Sequence, residues 1–101
     1  MLREISRKYY TEEFQLAPTD VDDLINEAFT TLNRSIKEFE KLFADGDDMA
    51  AIREAAHAMK GNLLNMGLDD QADMALSIER SDNTDTAQDH FSNLKKELEA
   101  F

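Results

Sequence analysis

Residues 49–68, MAAIREAAHAMKGNLLNMGL, decide how this chain folds. Ile52, Ala56, Met59, Leu63 and Met66 step through the stretch by four, three, four and three, which is the repeat of one face of an α-helix. Asp45, Gly46, Asp47 and Asp48 just before it supply a stop for the preceding element and an N-cap for this one. The spacing predicts a helix that runs to about Met66 and is ended by Gly67.

The same reading extends outward in both directions. Upstream, Val21, Leu24, Ala28, Leu32, Phe39 and Phe43 recur at helical spacing. Thr19 is positioned as their N-cap after Pro18, with Asp20, Asp22 and Asp23 in the electropositive first turn, so a long helix is predicted over about 20–44. Downstream, Asp69 or Asp70 can cap a shorter helix in which Ala72, Ala75, Leu76 and Glu79 share a face flanked by Met74 and Ile78. Ser81 to Thr86 reads as a polar turn, after which Ala87, Phe91, Leu94, Leu98 and Phe101 step by four, three, four and three to the last residue. Leu2 to Phe14 reads as a short extra helix or cap.

The chain has only three glycines and one proline, which favours long helices over strands joined by tight turns. With 101 residues it can build one modest core, and it is read as a single domain, 1–101, with 1–18 as an N-terminal cap segment. Connections of roughly two to eight residues favour antiparallel neighbours. The simplest way to bury four apolar stripes is an all-α, antiparallel up-down four-helix bundle carrying the extra N-terminal element.

Composition narrows the function. Twenty-two acidic against eleven basic side chains leave a formal charge of −11, which argues against binding nucleic-acid phosphates or an anionic membrane. Cysteine is absent, so disulfides, thiolate catalysis and Cys-based zinc sites are excluded. The opening MLREISRKYY has no apolar signal core and no run approaches the ~18 apolar residues of a membrane span. A soluble, cytoplasmic monomer is expected.

Chemistry then centres on two histidines. With the 52/56/59/63/66 stripe as the core direction, His57 lies roughly 140° away, Lys60 roughly 80° and Gly61 roughly 180°. His57 is therefore on an accessible flank, with a cation on one side and a residue without a side chain on the other. A mid-helix glycine costs on the order of 1 kcal/mol against alanine, so Gly61 asks for a reason. Either it leaves room for an approaching group, or it only lets a neighbouring helix pack closely. His90 lies one residue off its helix stripe, has no Lys-Gly neighbour, and reads as a plain surface histidine.

The string His57-Ala58-Met59-Lys60-Gly61, with Gly67 six residues beyond Gly61, resembles the signature of the histidine phosphotransfer (HPt) domain family. That family's pattern is His-x-x-Lys-Gly with a second glycine ending the helix, and Ala55, Ala56 and Leu68 also look like it. Asn62 and Leu63 depart from it, since small residues are frequent there; Leu63 falls on the core face, so the departure either concerns packing or reshapes the site's edge. The resemblance implies a four-helix bundle, with His57 as phosphoryl acceptor, Lys60 as the cation near the phosphoryl oxygens and Gly61 as the gap admitting the partner's active site. Glu79 lies where some members carry a polar side chain on the neighbouring helix, which implies that it hydrogen-bonds the other imidazole nitrogen; the alternative is a solvated carboxylate. The implied partners are a response-regulator receiver domain, which brings an aspartate and Mg²⁺, and a hybrid histidine kinase; the chain has no cofactor of its own.

Ala50, Arg53 and Leu64 around His57 give a partly apolar docking surface, or Leu64 packs on the next helix. Glu54-x-x-His57 is formally the carboxylate-histidine element of di-iron bundles, but Ala87 stands where a second such element would need its glutamate. No nucleotide-binding glycine loop, kinase signature or hydrolase triad is present, so autophosphorylation from ATP is not expected. The alternative function is a helical adaptor that docks a signalling partner without exchanging phosphate.

Overall fold

The computed structural model describes residues 2–46 and 48–101; the expectation that Asp47 helps to stop the first long helix lies outside the described residues. Among the described residues five helices follow one another: α1 (Leu2–Phe14), α2 (Pro18–Asp45), α3 (Met49–Leu64), α4 (Asp69–Glu79) and α5 (Thr84–Leu98). The protein is all-helical, with no strand among the described residues. Its 28-residue α2 spans ~42 Å at 1.5 Å per residue and sets the long axis of a body measuring 44 × 20 × 19 Å. No helix among the described residues is long and apolar enough to cross a membrane.

The starts of α2, α4 and α5 differ from the sequence expectation, and that of α3 does not. Thr19 does not cap α2. Pro18 occupies the first turn, where its missing N–H and fixed φ cost nothing, and the Ala17 carbonyl accepts from the Val21 N–H at 3.0 Å. Asp48 does cap α3, its carboxylate accepting from the Ala51 N–H at 3.1 Å. Neither Asp69 nor Asp70 caps α4: Leu68 stands at that position, and both aspartates sit within the first turn, where the helix dipole favours their charge. Asn83 caps α5 by accepting from the Thr86 N–H at 2.8 Å, so this helix begins inside the stretch expected to be a polar turn. It ends at Leu98, short of Phe101.

The end of α3 is fixed by a Schellman turn. The Leu68 N–H donates to the Leu63 carbonyl and the Gly67 N–H to the Leu64 carbonyl, with Gly67 in the left-handed region at φ +72°. This turn also receives α1. Ser6, fully buried, donates its hydroxyl to the Met66 carbonyl at 2.8 Å, and Tyr9 lies against Gly67. Leu2, Ser6 and Tyr10 recur every four residues, so one stripe of α1 is buried. The N-terminal element is thus a docked 13-residue helix.

The core contains the predicted stripe of α3 and, from that of α5, Ala87, Phe91, Leu94 and Leu98, while Phe101 is half-buried; on α2 it adds Ile25. Phe39, Phe43 and Phe91 join α2 to α5, with ring centroids 5.0–6.2 Å apart, the range in which aromatic pairs contribute about 0.5–1.5 kcal/mol beyond burial. On α4 the buried residues are Gln71, Ala72, Ala75 and Ile78, while Leu76 and Glu79 are half-buried. This face is turned from the expected one because α4 packs against both α3 and α5, so two neighbours set the buried arc. Helix α2 in turn packs on α1, α3 and α5.

Candidate functional site

His57 and Lys60 come from α3, and Glu79 from the last turn of α4, whose close packing on α3 brings together residues 22 apart in sequence. The imidazole is open to solvent: 72% of the His57 side chain is accessible. Its Nδ1 lies 3.1 Å from Glu79 Oε1 and 3.2 Å from Oε2, so both carboxylate oxygens face one ring nitrogen. The Lys60 ammonium donates to the same Oε1 at 3.5 Å. Lys60 therefore stands beside the imidazole through a shared carboxylate.

The hydrogen bond from His57 lowers the Glu79 carboxyl below its ordinary value, against the opposing effect of burial and with further help from the Lys60 charge. An ionised carboxylate can only accept, which assigns the shared proton of a neutral imidazole to Nδ1 and leaves the Nε2 lone pair free. In that tautomer the Nδ1 side of the ring is held by Glu79, and Nε2 is the nitrogen that could act as a nucleophile.

Gly61, one turn after His57, has a helical backbone, and a Cβ built there meets nothing within 4 Å. That removes the close-packing explanation for this glycine, since no neighbouring helix fills the space. Leu64 is 46% exposed, so about half of its side chain is open to solvent beside the site. Ala50 and Arg53 are exposed as well, and Arg53 is held by donation from Nη2 to the Ser81 carbonyl at 3.1 Å. Arg53 thereby joins α3 to the α4–α5 turn, a tie that its sequence position did not announce.

Glu54 lines a cleft of about 300 Å³ between α2 and α3 together with Glu38, Phe39 and Ala58. Among the described residues no group of three or more His, Asp or Glu side chains is placed to hold a metal ion. His90 is half-buried in a depression lined by Ser77, Arg80 and Asn83, remote in sequence from the His57 cluster and less exposed than expected.

Residues 14–101 match the family model of the Hpt domain. The chain belongs to the Hpt domain family, whose members carry out histidine phosphotransfer in the phosphorelays of two-component signalling. They are phosphocarriers rather than enzymes and interact with response-regulator receiver domains and kinases. Comparison with curated proteins and with solved structures gave no match. Most of α1 lies before the matched residues, and its contacts through Ser6 and Tyr9 carry no motif or long-range periodicity by which the sequence could have revealed them.

Proposed function

We propose that His57 is the phosphocarrier of this domain, accepting a phosphoryl group from the aspartate of a response-regulator receiver domain and donating it to one. The observation that carries this reading is the open space at Gly61 beside an exposed imidazole whose other nitrogen is held by Glu79. A glycine that costs helix stability and fills no internal contact is accounted for by a partner's approach.

In this reading Glu79 orients the ring and fixes the tautomer, and the Nε2 lone pair attacks phosphorus in line. Lys60 offsets the roughly two negative charges that arrive with the phosphoryl group. The receiver supplies Mg²⁺ with its aspartate, so this chain needs no cofactor, and nothing in its sequence suggests a kinase of its own. Ala50, Arg53 and Leu64 form the docking surface, small enough for a transient encounter. A hybrid histidine kinase is the other partner class. Nucleic acid and membranes are not, given the charge of −11.

We infer in addition that α2, α3, α4 and α5 make an antiparallel up-down four-helix bundle in one domain, with α1 as the extra helix. Support comes from the closed ring of neighbours, in which α2 packs on α3, α3 on α4, α4 on α5 and α5 on α2. The domain acts as a cytoplasmic monomer.

Incubation with a phosphorylated receiver domain and Mg²⁺ tests the assignment, with His57→Gln as control. Acid-labile, base-stable phosphate is expected on the wild type and none on the variant, while helical circular dichroism stays the same. Absence of label with several receivers would favour the adaptor that binds without exchange.

A further inference from the structure

We propose that Glu79 also governs how readily the phosphoryl group leaves: its carboxylate keeps the proton on Nδ1 while Nε2 carries phosphate. This rests on the His57 carrier reading. Glu79 presents both oxygens to Nδ1, at 3.1 and 3.2 Å, and is the hydrogen-bonding partner of the ring. An acceptor of any kind there would orient the imidazole. A carboxylate adds a charge, and charge-assisted hydrogen bonds are roughly twice as strong as neutral ones.

The chemistry shows why the charge matters. On loading, the Nε2 lone pair forms the N–P bond as the P–O bond to the donor aspartate breaks and its electron pair leaves with the freed carboxylate, and a ring that keeps its Nδ1 proton becomes an imidazolium. On donation the P–Nε2 bond breaks and its electron pair returns to Nε2. The phosphoryl group passes to a receiver carboxylate oxygen, or to water to give inorganic phosphate. With the proton on Nδ1 the leaving group is neutral imidazole; without it, imidazolate would have to depart, and that is a far poorer leaving group. Glu79 favours the protonated form, and thereby the form able to donate, up to a higher pH.

The surrounding charges leave this task to Glu79. On α3, Lys60 shares the Glu79 carboxylate, Arg53 is committed to the Ser81 carbonyl, and Glu54 lines the cleft toward α2 opposite Glu38. On α4, Arg80 lines the depression that contains His90. Lys60, on a flexible four-carbon stem, can move toward the phosphoryl oxygens and reduce their repulsion with Glu79.

Wild type and Glu79→Gln, which keeps an acceptor at this place and removes the charge, are loaded with phosphoramidate as a chemical phosphodonor. Excess donor is removed, and loss of phosphate is followed from about pH 5 to about pH 9, across the range in which imidazoles titrate. The variant is expected to lose phosphate about fivefold more slowly at neutral pH, with its profile displaced to lower pH. The unloaded proteins give a second measurement: imidazole ¹⁵N shifts should report Nδ1–H in the wild type and a tautomer mixture in Glu79→Gln. Loading of both proteins with coincident profiles would overturn this inference alone and leave Glu79 as an orienting group. Failure of the wild type to load would overturn the His57 reading and this one with it.

Discussion

Gly61 and Gly67 stand six residues apart on one segment, yet a Cβ added at the first meets nothing within 4 Å and one added at the second meets Tyr9 Cβ at 2.6 Å. Gly67 also has φ +72°, a conformation in which side chains are strained. It is needed by the fold twice over, once for the Schellman turn and once for the approach of α1. Gly61 has an ordinary helical backbone, and among the described residues nothing lies within 4 Å of its Cβ position. One end of α3 is thus closed by the protein's own N-terminal helix, while the space at Gly61, one turn after His57, is open. The two parts of one motif differ: Gly67 answers to folding, and under the proposed function Gly61 answers to encounter.

The sharpest way to break that contrast is Gly67→Ala. A non-glycine residue in the left-handed region costs roughly 1–2 kcal/mol, and overpacking against Tyr9 adds about 1–3 kcal/mol. A loss of about 3 kcal/mol in urea unfolding is expected, a large part of the stability of a domain this size. Adding Tyr9→Ala removes the Tyr9 Cγ and Cδ2 contacts at 2.7 and 3.0 Å but leaves the Cβ contact. It should therefore recover only part of the loss. A Gly67→Ala protein as stable as wild type would mean that α1 does not close this end.

Gly61→Ala should act with the opposite sign. Replacing a mid-helix glycine whose Cβ space is empty stabilises the fold by about 0.5–1 kcal/mol. The same methyl group intrudes on the approach to His57, so transfer from a phosphorylated receiver should slow while loading by phosphoramidate stays near the wild-type rate. Urea unfolding and the two loading assays together measure both signs. A variant that gains stability without losing receiver-dependent transfer would remove the partner explanation for this glycine.

How much of this was legible in the sequence follows the range of the interactions. The α3 stripe, the exposure of His57 and the end at Gly67 were readable because each is local: a periodicity, an angle from it, a glycine after its last member. The start of α2 was misread by a residue or two because Thr19 and Pro18 are both start signals. Proline took precedence, since it fits the first turn without a side-chain cap. The buried face of α4 was misjudged because two neighbours cover it. The link from Ser6 to the Met66 carbonyl spans 60 residues and leaves no repeating trace. Glu79 shows the division most clearly: its residue type was visible and its meeting with His57 was not, so only the family resemblance pointed to it.

The smallest expected effect concerns how little the open face contributes to stability. Glu79 has its carboxyl held below the ordinary value of 4.5, chiefly by the His57 hydrogen bond. A lowered folded-state pKa means that the ionised carboxylate stabilises the native state at pH values above 4.5, and that this contribution fades as the pH falls through the folded value. Glu79→Gln should therefore unfold slightly more easily than wild type in urea near neutral pH, with a gap that persists at pH 5 and closes in more acidic solution. Because 72% of the His57 side chain is in contact with water, the gap should stay below about 1 kcal/mol. A difference of several kcal/mol would mean that the His57–Glu79 pair is part of the structural framework, as Gly67 and Tyr9 are. A gap that opened on acidification would reverse the sign assigned to the carboxylate. A small gap that closes in acid leaves the open face nearly neutral for folding, and its glycine, histidine and carboxylate are then accounted for by what they do for a partner.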